Sequence, residues 1–274
     1  MVTTLPFHSL HLRSMNDLKI TLVQTDLHWE QATKNRHMFD KKLEHISETD
    51  LIVLPEMFST GFSMQPEKFA ERMNGETVEW MKRKATEKNS AVCGSVMIKD
   101  NNHYYNRFVV ALKDGSVLTY DKRHLFGLGD ENNHYSAGKQ QLIFELNGWK
   151  ILPLICYDLR FPVWSRNKLI EGKPLYDILL YVANWPEKRK QAWKTLLPAR
   201  AIENQSYVVA VNRVGMDGTG MEYHGNSMLT DSRGQHLFHN EGDEVVYQIS
   251  LSKEMLNETR NSLPFLKDAD KFSL

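Results

Sequence analysis

"WKILPLICYDLRFP", Trp149–Pro162, changes character in its middle. Up to Cys156 it is an apolar run, the pattern of a strand buried on both faces. Past Cys156 come polar, charged and turn-prone residues, and Pro162 sits where a helix can open. A cysteine therefore ends a buried strand. The same plan recurs twice: Glu56 ends "LIVLPE" (residues 51–56) and Lys122 ends "VLTYDK" (residues 117–122). In sheets built from alternating strands and helices, ligands bind in the crevice beyond the strand ends.

Outward from this stretch the chain keeps alternating. Short apolar, β-branched segments read as strands at 18–27, 50–58, 90–98, 176–185 and 205–214. Helical spacing covers 30–47 through Phe39, Leu43 and Ile46, and 75–89 through Val78, Met81 and Ala85. A short helix follows Pro162, and a longer one covers 187–204, strained by Pro198. Asp114-Gly115 sits between two apolar runs and predicts a hairpin. Residues 225–238 and 244–251 read as antiparallel ribbon, and "GMDGTGMEYHG" (215–225) as a loop with no helix behind it. No linker or composition break divides the chain, so 15–274 reads as one domain, a mixed sheet system flanked by helices.

The totals exclude several classes. Of 274 residues 41% are hydrophobic and 25% charged, and basic and acidic residues balance at 34 each. That balance gives no electrostatic footprint for nucleic acid or an anionic membrane. No apolar stretch reaches the roughly 18 residues of a membrane helix. Residues 1–14 lack the plan of a signal peptide and precede a second start-like "MNDLKITLVQ", so they read as a disordered extension outside the fold. Two cysteines make no disulfide framework, which points to the reducing cytoplasm.

Cysteine, glutamate and lysine together suit acyl transfer. A thiolate attacks an acyl carbon, a carboxylate takes the thiol proton and returns it to a leaving amine, and an ammonium stabilises the oxyanion. A helix starting just past Cys156 would add its dipole in favour of the thiolate. Taken singly, each residue has a plainer reading: an inert core thiol, which is the role given to Cys93, a helix-capping carboxylate, a solvated lysine. The coincidence of three strand ends lifts the set. No metal site is expected: the 11 histidines include no His-Glu-x-x-His, and His236 and His239 lack further ligands.

At these residues the sequence resembles the nitrilase superfamily of carbon-nitrogen hydrolases, from about Leu18 to about Leu251. "LIVLPEMFSTGF", "YDKRHLF" and "LICYDLRFP" are similar to the family's glutamate, lysine and nucleophile segments, in the family's order. The resemblance implies a four-layer α-β-β-α sandwich, no cofactor, and a homodimer formed through helices near the nucleophile. It also implies a second glutamate that holds Lys122 and the substrate. Glu131, seven residues before Gly138, fits that place, with Asp130 as the rival. "ANWPEKRKQAWKTLLPARAIENQSYVVAVNRVGMDGTG" is closer to the omega-amidase branch, which hydrolyses the terminal amide of 2-oxo dicarboxylic monoamides. A substrate of that kind carries a carboxylate at its far end. Arg160 and Arg189 are the candidates to meet it, against an ion-pair partner and a solvated helix face as their plainer readings. Phe62, Tyr135 and Trp185 are candidate walls. The backbone N–H of Tyr157 is the candidate oxyanion donor beside Lys122.

Overall fold

The structure, a computed structural model, describes residues 16–270, so the extension expected over Met1–Ser14 lies outside the described residues. The first half runs β1 (Leu18–Gln24), α1 (Ala32–Leu43), β2 (Leu51–Val53), α2 (Pro66–Phe69), α3 (Glu76–Lys88), β3 (Ala91–Asp100), β4 (His103–Ala111) and β5 (Val117–Asp121). There follow α4 (Glu131–His134), β6 (Phe144–Leu146), β7 (Trp149–Ile155), α5 (Pro162–Ser165) and a small hairpin of β8 (Leu169–Ile170) and β9 (Lys173–Pro174). The chain closes with β10 (Ile178–Val182), α6 (Lys190–Asn204), β11 (Tyr207–Val211), β12 (Val214–Met216), β13 (Glu222–Thr230), β14 (His236–Glu241), β15 (Val245–Leu251) and α7 (Lys253–Ser262).

Two sheets form, in the orders β15-β1-β2-β3-β4-β5 and β12-β13-β11-β10-β7-β6, with β14 beside β13. Each has a parallel trio at its centre, β1-β2-β3 and β7-β10-β11, with antiparallel strands outside it. The two-residue period of strands sorts the faces. Leu18, Ile20, Leu22, Val53, Cys93 and Phe108 point into the core shared with the second sheet. Val23, Ile52, Val92 and Val109 point the other way, onto Phe39 and Leu43 of α1 and Val78, Met81 and Ala85 of α3. Trp193, Leu197 and Ala201 of α6 cover the second sheet, where α6 meets β11 and β13. The layers are α-β-β-α, the sandwich expected.

One pairing differs from expectation. Residues 225–238 do form a ribbon, β13 with β14, but β15 leaves it and pairs antiparallel with β1, Leu18 opposite Leu251. Seven hydrogen-bonding residues of β1 would otherwise form an open sheet edge. The hairpin at Asp114-Gly115 forms as β4 and β5.

Candidate active site

Cys156 follows β7 with no intervening residue and adopts φ of 45°. A non-glycine residue in this left-handed region is strained and persists only where its surroundings over-determine it. Here Asp158, fully buried, does so. Its Oδ2 accepts from the Ile155 N–H at 3.0 Å and the Tyr120 hydroxyl at 2.7 Å. Its Oδ1 accepts from the His124 N–H at 3.0 Å and lies 2.8 Å from His124 Nδ1. Asp158 thereby ties the cysteine's turn to the segment that carries Lys122. That turn, Cys156–Arg160, is a 3-10 helix, and α5 behind it is one turn long. The short helix expected after Pro162 is α5, which ends at Ser165; the 3-10 turn, and not α5, starts at Cys156.

Glu56 lies three residues past β2, and Met57 after it is held at φ of 42° with its N–H donating to Ser95 Oγ at 2.8 Å. Lys122 directly follows β5, its N–H donating to Asn106 O at 3.0 Å. Its carbonyl accepts from the Gly138 N–H at 2.9 Å, an approach only glycine allows: a Cβ there would stand 2.0 Å from Asp121 O. The side chains of Glu56, Lys122 and Glu131 are all fully buried. Lys122 Nζ donates to Glu56 Oε1 at 3.0 Å and to Glu131 Oε2 at 2.8 Å. Asn106 Nδ2 reaches the same two carboxylates, Glu56 Oε1 at 2.7 Å and Glu131 Oε1 at 3.1 Å. The Asn184 N–H donates to Glu56 Oε2 at 2.7 Å, and Cys156 Sγ lies 4.0 Å from Asn184 O.

The electrostatics follow from burial and these neighbours. Burial disfavours the ammonium of Lys122, but the charges of Glu131 and Glu56 outweigh it and hold the pKa above its ordinary value. Burial, with Glu56 adding to it, pushes the Glu131 carboxyl up against the pull of Lys122. Burial also pushes the Cys156 thiol well up, the negative charge of Glu56 adds to the rise, and Lys122 opposes it. The resting sulfur is therefore a thiol, and needs a base to become a nucleophile.

A cavity of about 330 Å³ opens above Cys156. Phe62, Tyr157 and Trp185 line it, and so do Arg160 and Arg189. The Arg160 guanidinium lies 4.9 Å from the centre of the Trp185 ring, and that of Arg189 lies 4.8 Å from that of Phe126. Among the described residues neither has a carboxylate partner. Arg189 sits at the N-terminal cap of α6, turned over the cavity rather than onto a solvated helix face. The acids of the opposite wall are occupied: Asp217 accepts from Thr219, Met221 and the Tyr223 hydroxyl, and Glu30 from Ser63 and Gln65.

One expectation needs correction, and the rival to Glu131 falls away. Tyr135 does not line the cavity: it is 5% exposed, packs with Met57 and Met97, and donates its hydroxyl to Ser63 O at 2.7 Å. Its place just after α4 puts it behind the wall rather than in it. Asp130 is turned away, bonding Asn133 and His134 at the start of α4. Sequence reading missed Asn106, Asp158 and Asn184. Asn184 had a signal: it ends the apolar run "ILLYVAN", and in the neighbouring strands Val182 sits opposite Ile155, so the same strand-end rule finds it.

The profile of the carbon-nitrogen hydrolase family matches residues 19–261. The chain belongs to the carbon-nitrogen hydrolase family. This carbon-nitrogen hydrolase is 45% identical over 261 residues to omega-amidase YafV of Yersinia enterocolitica, covering 95% of this chain and 100% of that one. It is 34% identical to the 2-oxoglutaramate amidase of Bacillus subtilis, covering 92% and 97%. The crystal structure of XC1258 from Xanthomonas campestris, a CN-hydrolase superfamily protein with an arsenic adduct in its active site, superposes with a TM-score of 0.93. Its identity is 43%, with 94% of this chain and 99% of that one covered.

Proposed function

We propose that this carbon-nitrogen hydrolase is an omega-amidase acting on 2-oxo dicarboxylic monoamides, such as 2-oxoglutaramate and 2-oxosuccinamate, through a cysteine thioester. The observation that carries the reading is a buried Glu-Lys-Glu cluster beside a strained cysteine, under a cavity whose two guanidinium groups have no carboxylate partner among the described residues. Similarity to omega-amidase YafV and to 2-oxoglutaramate amidase supports it.

Glu56 takes the Cys156 proton as sulfur attacks the amide carbon. The carbonyl π electrons move to oxygen, and Lys122 Nζ and the Tyr157 N–H hold the resulting oxyanion. As the oxyanion collapses the C–N bond breaks, and Glu56 delivers its proton to the departing nitrogen, so ammonia leaves. Water then attacks the thioester while Glu56 takes a proton from it. Collapse expels sulfur, which regains that proton, and the acid is released. Glu131 holds Lys122 throughout. Arg160 or Arg189 binds the distal carboxylate, with Phe62 and Trp185 as walls. We read the chain further as a cytoplasmic homodimer. Both cysteines are free thiols, and Val163 after the nucleophile turn, 53% exposed, shares a surface depression with Phe265, 40% exposed.

Ammonia release from 2-oxoglutaramate, 2-oxosuccinamate, an aliphatic nitrile and an N-carbamoyl amino acid, compared side by side, tests the reading. The 2-oxo amides are expected to dominate, and Cys156→Ala to release no ammonia while keeping its melting temperature. A dominant nitrile or carbamoyl activity overturns the substrate; substantial turnover by Cys156→Ala overturns the mechanism. Light scattering on the eluted protein tests the dimer.

A further inference from the structure

Asn106 touches every member of the buried cluster beneath the sulfur. It is fully buried in β4. Its carbonyl accepts the Lys122 N–H at 3.0 Å and so fixes where that side chain starts. Its Nδ2 donates to Oε1 of Glu56 at 2.7 Å and to Oε1 of Glu131 at 3.1 Å. Lys122 Nζ donates to the same two oxygens, each at 3.0 Å. The two carboxylates are thus bridged twice, by one ammonium and by one amide. Asn106 Oδ1 is buried and accepts nothing among the described residues. An amide kept there with its acceptor unused is held for its two N–H groups.

The need for a second bridge follows from the chemistry. Three carboxylate oxygens take the donors of Lys122 at rest. Donating to an oxyanion withdraws at least one of them. At that moment two buried carboxyl groups face each other with less cation between them, while Glu56 must keep its aim between the sulfur and the leaving nitrogen.

We propose that Asn106 is a positioning residue for the hydrolysis: its side-chain amide clamps Glu56 to Glu131 so that Lys122 can turn a proton to the oxyanion without the pair springing apart. This rests on the reading of Glu56 as the base.

Asn106→Asp and Asn106→Leu test it, with ammonia release from 2-oxoglutaramate measured as kcat and KM from pH 5.5 to 8.5 and melting temperature recorded at each pH. Asn106→Leu is expected to lose about 100-fold in kcat, the scale of a misplaced catalytic group, with KM within about threefold. Asn106→Asp keeps the shape but donates only when protonated, so its kcat relative to the parent rises at least about tenfold as pH falls over that range, ten being the change in protonated fraction per unit. Asn106→Asp decides the matter if Asn106→Leu fails to fold. A kcat ratio for Asn106→Asp that is flat with pH, or one that only follows the melting temperature, overturns the proposal, because a residue that merely supports the fold gives that result. Glu56→Gln serves as the separate control. If it retains turnover, the base assignment fails. If it is inactive while Asn106→Asp is flat, only the clamp fails.

Discussion

Lys122→Met removes the cation between two buried carboxylates and little else. The flexible side chains are close in volume, so the cavity and overpacking terms are small. What remains is electrostatic. Glu56 and Glu131 are fully buried and lose the ammonium at 3.0 and 2.8 Å. Breaking a buried pair by deleting one partner costs about 3 to 5 kcal/mol. At about 2 to 4 °C per kcal/mol for a chain of this size, melting falls by about 6 to 20 °C. The loss depends on pH. Burial and Glu56 already push the Glu131 carboxyl up while Lys122 restrains it, so without Lys122 it is held protonated to still higher pH. A carboxyl that binds its proton more tightly folded than unfolded stabilises the fold fully below its unfolded pKa, about 4.3. That contribution is lost as pH rises through the folded value. The deficit of Lys122→Met is therefore smaller at pH 5 than at pH 8, and Lys122→Met with Glu131→Gln recovers part of it. Urea and thermal unfolding at both pH values measure this. A parental melting temperature at pH 8, or a deficit equal at both, refutes the account of the cluster as two carboxylates held by one cation.

Glu56→Gln removes the negative charge that raises the Cys156 thiol. Iodoacetamide should then alkylate Cys156 faster at pH 7.5, about tenfold for each unit the thiol falls, while hydrolysis drops about 100- to 10,000-fold with the base gone. Parallel losses in both assays would sink this assignment. Arg160→Met and Arg189→Met are compared on 2-oxoglutaramate and on a neutral amide. The arginine that meets the carboxylate raises KM about 10- to 150-fold for the first only, the worth of one charged hydrogen bond, and unchanged KM in both variants removes the arginines from the site. Asp158→Asn leaves some of its four donor contacts unpaired, lowering stability by about 1 to 3 kcal/mol and slowing acylation; a neutral effect in urea unfolding would show that the turn holds itself.

The sequence by itself determined the strand-and-helix alternation and singled out three candidate reactive positions. Both are local facts: a strand announces itself by its own apolar run, and Glu56, Lys122 and Cys156 each stand at or just past the end of one. Glu131 came from the family resemblance, and the arginines from the carboxylate of the substrate that the resemblance implies, rather than from periodicity. The tertiary structure decided which of the lesser candidates meet. Tyr135, directly after α4 and four residues past Glu131, turns into the Met57–Met97 core, while Arg160 and Arg189 converge over the cavity. It also decided that β15 returns to β1, more than 200 residues away along the chain. Asn106 and Asp158 belong to this second class. Each looks like an ordinary polar residue in its own segment, and its role exists only through donors and acceptors brought from β2, β5 and β7. Hydrogen bonds of that kind carry no sequence period, because their partners are chosen by how two sheets stack, not by what precedes them in the chain.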